Sequence, residues 1–210
     1  MSMRTRSYEP ADTISTAIPY GITTQAARHV CGHISLEELK LIQGAMLFGE
    51  EDIKALKMSR DILADQIDDV LDVWYGFVGS TPQLVQYFGN TETGKPFGDY
   101  LATVRKRFCQ WILDTAEGNY DQDWLNHQFE VGRRHHTVGK NRTDGVKSVP
   151  VIHFRYLAAL HFPITTTLKP FLAQKGHSPE DVEKMLDAWR KSVLLTVILW
   201  SHPYVGEGEF

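Results

Sequence analysis

An all-α fold in a single domain is what this sequence predicts, on three observations. Apolar residues recur at helical spacing along most of the chain after residue 35. No stretch alternates apolar and polar residues as a half-buried strand would. Helix start and stop signals fall at the ends of the periodic stretches. The 210 residues agree with one domain at about 150 residues each. A composition of 42% hydrophobic and 23% charged residues excludes disordered, collagen-like and fibrous classes. With five Trp, eight Tyr and ten Phe, the core has enough aromatic surface to enclose a large group.

Residues 1–34 carry Pro10, Pro19 and Gly21 without a sustained period and read as an irregular N-terminal arm. The domain proper is residues 35–210. Ser35 with Glu38 forms a capping box that starts a short helix over 35–47, and Gly49 breaks it. From Glu50 to Phe77 the positions Leu56, Leu63, Ile67, Val70, Leu71, Trp74 and Phe77 make one helical stripe. Asp65, Asp68, Asp69 and Asp72 lie opposite as a solvated face. A helix over 98–117 follows, with Leu101, Val104, Phe108, Trp111 and Ile112 inward and Gly118 as its stop. Asp121 caps a fourth helix that ends near His136. Residues 137–150 read as a polar loop.

Pro150 opens the next helix, which carries Ile152, Tyr156, Leu157 and Leu160, and which Pro163 and Pro170 must kink or divide. Ser178-Pro179-Glu180-Asp181 starts the last helix, 179–201. From Val193 onward it is apolar on nearly all sides, which calls for burial by the core and by a second subunit.

Charge and targeting signals narrow the partners. The net charge of −4, with no dense basic run beyond Arg105-Lys106-Arg107, gives no electrostatic footprint for nucleic acid. Two cysteines, Cys31 and Cys109, exclude a disulfide framework and point to a reducing cytoplasm. Glu9 and Asp12 stand where a signal peptide needs an apolar run. The longest apolar stretch, residues 193–200, falls far short of the roughly 20 residues of a membrane span. A soluble cytoplasmic protein with no membrane partner is expected.

Three groups of residues are candidates for chemistry. His135 and His136 end the fourth helix, with Val131 and Gly132 one turn back, so both emerge beside partly apolar stripes. Gly132 would let a flat ligand approach the helix. A neutral imidazole on such a face suits a haem iron, and helical spacing does not choose between the two; exposed histidines in a basic helix end are the alternative. Tyr75 lies beside Trp74 on the stripe with Leu71 and Val78. It is either a core tyrosine bonded to a carbonyl or a donor to a ligand on iron. His29, Cys31 and His33 alternate as soft ligands would for Zn or Cu, without an evident fourth ligand. Nucleotide-binding, α/β-hydrolase and zinc-protease motifs are all missing.

Six segments closely resemble the protoglobin family in order and spacing. They are Trp74-Tyr-Gly-Phe-Val-Gly-Ser80, Tyr100-Leu-Ala-Thr-Val-Arg-Lys-Arg-Phe108, Trp111-Ile-Leu-Asp-Thr115, Val131-Gly-Arg-Arg-His-His136, Pro163-Ile-Thr-Thr-Thr-Leu-Lys-Pro-Phe-Leu172 and Trp200-Ser-His-Pro-Tyr204. The resemblance runs from about residue 36 to the C-terminus. It implies a globin fold, a 3-over-3 helical sandwich, with an extra N-terminal helix and an N-terminal arm.

It also implies non-covalent haem b (iron protoporphyrin IX) with His135 as proximal iron ligand. The distal pocket would comprise Trp74, Tyr75 and Phe108, with Leu157, Leu160 and Ile164 as a further wall; Val104 and Val131 complete the pocket. Arg107 is placed to meet a haem propionate. Leu160 stands where the family often carries an aromatic residue, which implies a roomier distal pocket, and His161 beside it is atypical. The ligands implied are O2, CO and NO, and the assembly a homodimer through the last two long helices.

A gas carrier, scavenger or sensor is the leading expectation. An enzyme converting NO, nitrite or peroxide with an external reductant is the alternative. The chain has no flavin or nicotinamide motif and no distal His–Arg pair for dedicated turnover.

Overall fold

The computed structural model describes residues 34–95, 97–206 and 208–210. The N-terminal arm and the cluster of His29, Cys31 and His33 therefore lie outside the described residues. Nine α-helices occur among those described: α1 (Leu36–Ala45), α2 (Glu50–Ala64), α3 (Ile67–Gly79), α4 (Pro82–Val85), α5 (Gly98–Glu117), α6 (Gln122–His135), α7 (Lys140–Asp144), α8 (Phe154–Leu172) and α9 (Pro179–Trp200). Single 3-10 turns follow α4, α8 and α9 at Gln86–Phe88, Ala173–Lys175 and His202–Tyr204.

Local chemistry explains most of the boundaries. Ser35 and Glu38 form the reciprocal capping box of α1, with Ser35 N donating to Glu38 Oε2 at 2.6 Å. Gly118 ends α5 in the left-handed region at φ 64°, where glycine carries no Cβ penalty. The Asp121 carboxylate accepts from Trp124 N at 2.8 Å and starts α6, and the Ser178 hydroxyl accepts from Asp181 N and starts α9.

Three expectations are corrected here. The stretch 50–77 is two helices, broken at Asp65 and Gln66 without a glycine or proline. The Gln66 amide donates to Ile62 O at 2.8 Å and to Phe171 O at 3.4 Å, so it caps the end of α2 and ties the corner to α8. The segment 137–150 is not all loop, because α7 forms within it. Pro150 and Ile152 precede α8, which then runs unbroken through Pro163 and Pro170. In the segment between those prolines, the Thr165 and Thr167 hydroxyls donate to the carbonyls of His161, Phe162 and Pro163.

The helices pack as two layers of three, α2, α5 and α6 against α3, α8 and α9. The last helix is the hub and touches α8, α2 and α6. Its inward residues Met185, Leu186, Trp189, Leu195 and Leu199 are fully buried together with Leu56, Leu63, Leu125 and Leu172. Each such side chain contributes about 1.5–3 kcal/mol. The Trp189 indole N–H donates to Ser59 Oγ at 2.9 Å inside this core. Within one chain the apolar end of α9 is already largely covered, leaving Leu194 at 42% exposure. A second subunit is therefore not needed to bury most of it. Asp68 and Asp72 stay on the surface and both pair with Arg105.

Candidate functional site

Between the two layers lies a cavity of about 440 Å³, walled by α3, α5, α6, α8 and α9 and closed by the aromatic turn after α4. All ten site residues singled out in the sequence line it: Trp74, Tyr75, Val104, Arg107, Phe108, Val131, His135, Leu157, Leu160 and Ile164. Volume and largely apolar lining are those of a pocket for a cofactor-sized ligand.

One wall is the end of α6. The His135 ring turns back along its own helix, and its Nδ1 lies 2.8 Å from Val131 O. A carbonyl only accepts, so Nδ1 carries the proton and Nε2 holds a lone pair. Burial brings the imidazole down to about 4, so it is neutral near pH 7. Trp200 stacks on the ring with centroids 4.7 Å apart and 24° between planes. Trp200 is itself held by its indole N–H donating to Gln128 Oε1 at 3.0 Å.

Gly132 serves a different purpose from the one expected. A Cβ there would sit 2.9 Å from Trp200 Cα, so the missing side chain admits the backbone of α9 rather than a flat ligand. His136, by contrast, is not on the cavity. It meets Thr137 Oγ1 and the edge of Tyr204. Of the two histidines that helical spacing left open, only His135 lines the cavity.

The opposing sequence candidates come from α3, α5 and α8. Trp74 is buried and meets Phe108 edge-on at 5.8 Å, while Tyr75 meets Phe88 edge-on at 6.4 Å. The Tyr75 hydroxyl has no hydrogen-bond partner among the described residues. Burial pushes it up to about 12, so it remains a donor across the ordinary pH range. Leu157, Leu160 and Ile164 form the α8 side. His161 points away, its Nε2 2.8 Å from Arg190 O, and tethers α8 to α9.

Arg107 lines the cavity but is already engaged. Its guanidinium donates in two-point fashion to Asp144, at 2.6 and 2.9 Å. Lys140, Tyr87, Tyr100 and Trp200 also line the cavity and were not picked out from sequence. Buried lysine runs against residue preference, and Tyr87 sits in a 3-10 turn without periodicity. The adjacent aromatics Tyr87-Phe88 in a polar region were the one readable signal.

A third region of the lining is polar. Trp111 Nε1, Asp114 Oδ2 and Thr196 Oγ1 are buried without a partner among the described residues. Burial raises Asp114, and Gln110 donates to its other oxygen at 2.7 Å. Among the described residues no cluster of three or more His, Cys, Asp or Glu could hold a metal ion, and no helix is long and apolar enough to cross a membrane.

Residues 35–210 match the protoglobin family. The chain belongs to the protoglobin family. No protein of curated function matches it. As a protoglobin it has the globin fold, with α1 as the helix added before the usual first one, α2, and the cavity falls between the two layers of that sandwich.

Proposed function

We propose that this protoglobin holds haem b non-covalently in the cavity, with His135 Nε2 as the one protein ligand to iron, and that it binds the diatomic gases O2, CO and NO. The observation that carries this is His135 itself: a neutral imidazole whose Nδ1 proton is committed to Val131 O, with its lone-pair nitrogen in an aromatic-lined cavity. The donor chemistry fits the group, since the porphyrin would supply four of the iron's donors and the His135 Nε2 lone pair would supply one more. When bound, haem supplies an iron that takes a diatomic gas reversibly.

The chain's residues have separable tasks. Val131 O orients the imidazole, and Trp200 packs against it so that the ring cannot swing. Trp74, Phe108 and Leu157 exclude water from the cavity. Tyr75, unpartnered and fully protonated, offers a hydrogen bond to a polar ligand and is the donor in a pocket whose α5 wall carries no histidine. Assembly as a homodimer through α8 and α9 is part of the same proposal; Phe162 on α8, 72% exposed, and Leu194 on α9 supply uncovered apolar surface for it.

The test is the visible spectrum of the purified protein, reduced, with and without CO. A sharp Soret band that shifts on CO is expected. A colourless protein that also fails to take up added hemin would defeat the proposal.

A further inference from the structure

Lys140 is a buried cation with no carboxylate in contact among the described residues. It is 2% exposed and lines the cavity from α7. Its Nζ donates to Tyr87 O at 3.1 Å and to Ser148 Oγ at 3.3 Å, and it lies 5.9 Å from the centre of the Tyr100 ring. All three partners are neutral, and an ammonium has three protons to give. Among the described residues no carboxylate oxygen comes within 4.0 Å of it. Asp144, the acid nearest in sequence, spends both oxygens on Arg107. The cavity's third cation, Arg134, is taken by Glu130 at 3.1 Å.

The surrounding loop is built to keep Lys140 in place. Ser148 Oγ donates onward to Tyr87 O at 2.9 Å, and Asn141 Nδ2 donates to Ser148 O. Burying a charge in this way costs more than two neutral hydrogen bonds return. Burial accordingly draws the lysine down to about 8.

We infer that Lys140 is the counter-cation for a carboxylate of the cavity's occupant, which on the haem proposal above, on which this rests, is a propionate. The other polar region, at Trp111, Asp114 and Thr196, is the rival dock. It offers two donors beside a carboxyl group of its own and no unpaired cation, so a carboxylate belongs at Lys140. Arg107 takes up both oxygens of Asp144, so that carboxylate is not hydrogen-bonded to the ammonium.

The experiment compares hemin with hemin dimethyl ester, whose carboxylates are masked, by quenching of the protein's tryptophan fluorescence. Wild type should bind hemin about tenfold more tightly than the ester, the low end of what one charge-assisted hydrogen bond confers. Lys140→Met should bind the two within about twofold of each other, mainly by losing hemin affinity. If the methionine variant does not fold by circular dichroism, Lys140→Gln carries the same test, because it keeps an N–H donor for the loop and removes the charge. Equal affinities in wild type, or a preference that survives loss of the Lys140 charge, would overturn the inference and leave the haem proposal standing. So would a preference abolished by Arg107→Gln but not by the Lys140 variants. A protein that binds neither compound would overturn both.

Discussion

Two neighbouring tryptophans divide the molecule. Trp189 and Trp111 lie 6.5 Å apart, ring centre to ring centre, and both are buried. The indole N–H of Trp189 meets Ser59 in a core that the chain completes by itself. Among the described residues, that of Trp111 has no partner, and neither do Thr196 Oγ1 and Asp114 Oδ2 on the same cavity. Native interiors satisfy nearly all their buried polar groups. On the haem proposal, the difference separates a region finished by folding from one that a ligand would finish. Substitutions on the Trp189 side should be felt as stability, and those on the cavity side as binding.

The largest effect is expected at Trp189. Trp189→Ala should cost about 3–5 kcal/mol in urea unfolding, with or without hemin. A loss below about 1 kcal/mol would show that this region is less finished than its packing implies.

Per residue, acid should come next, acting on the cavity side. Burial holds His127 and His135 near 4 in the folded chain, against the ordinary value of 6.5. Unfolding therefore takes up protons as pH falls from about 6.5 toward 4, and stability declines through that window by up to about 3 kcal/mol per imidazole. His127→Gln should remove roughly half of this slope in the hemin-free protein. An unchanged slope would mean that His127 is protonated as easily folded as unfolded.

Gly132→Ala should cost about 1–3 kcal/mol, because its Cβ would collide with the backbone of Trp200. It should also broaden the Soret band by disturbing the ring stacked on His135. A variant as stable as wild type would show that α9 can withdraw at little cost.

Tyr75→Phe is the subtlest change. With its hydroxyl unpartnered, stability should move by less than about 0.5 kcal/mol, while the O2 off-rate, followed by stopped-flow, should rise about tenfold. An unchanged off-rate would remove Tyr75 from ligand contact.

The boundaries of α1, α5, α6 and α9 were legible because each is set by local chemistry, at Ser35 with Glu38, Gly118, Asp121, and Ser178 with Pro179. The corner at Asp65 and Gln66 was not, since what ends α2 there includes a hydrogen bond to Phe171, more than a hundred residues away. Nor was the continuity of α8, which runs through Pro163 and Pro170 although each removes a backbone donor. In the cavity, residues on periodic stripes such as Trp74, Phe108 and Leu157 could be read as inward from spacing, Ile164 came only from the family resemblance, and His135 was one of two. Trp200, Tyr87 and Lys140 could not, because helix ends and short turns carry no periodicity. The pairing of Arg107 with Asp144 was not legible for a related reason: Asp144 reaches it from a segment whose helix α7 was not foreseen.

The division between core and cavity is tested most directly by chemical unfolding of wild type, His135→Ala and His136→Ala, each with and without hemin. Hemin at a hundredfold excess over its Kd should stabilise wild type by about 2.7 kcal/mol. It should do the same for His136→Ala and leave His135→Ala nearly unmoved, with the hemin-free proteins within about 1 kcal/mol of one another. Stabilisation of His135→Ala equal to that of wild type, or none in any of the three, would contradict the assignment of the cavity to a His135-ligated haem.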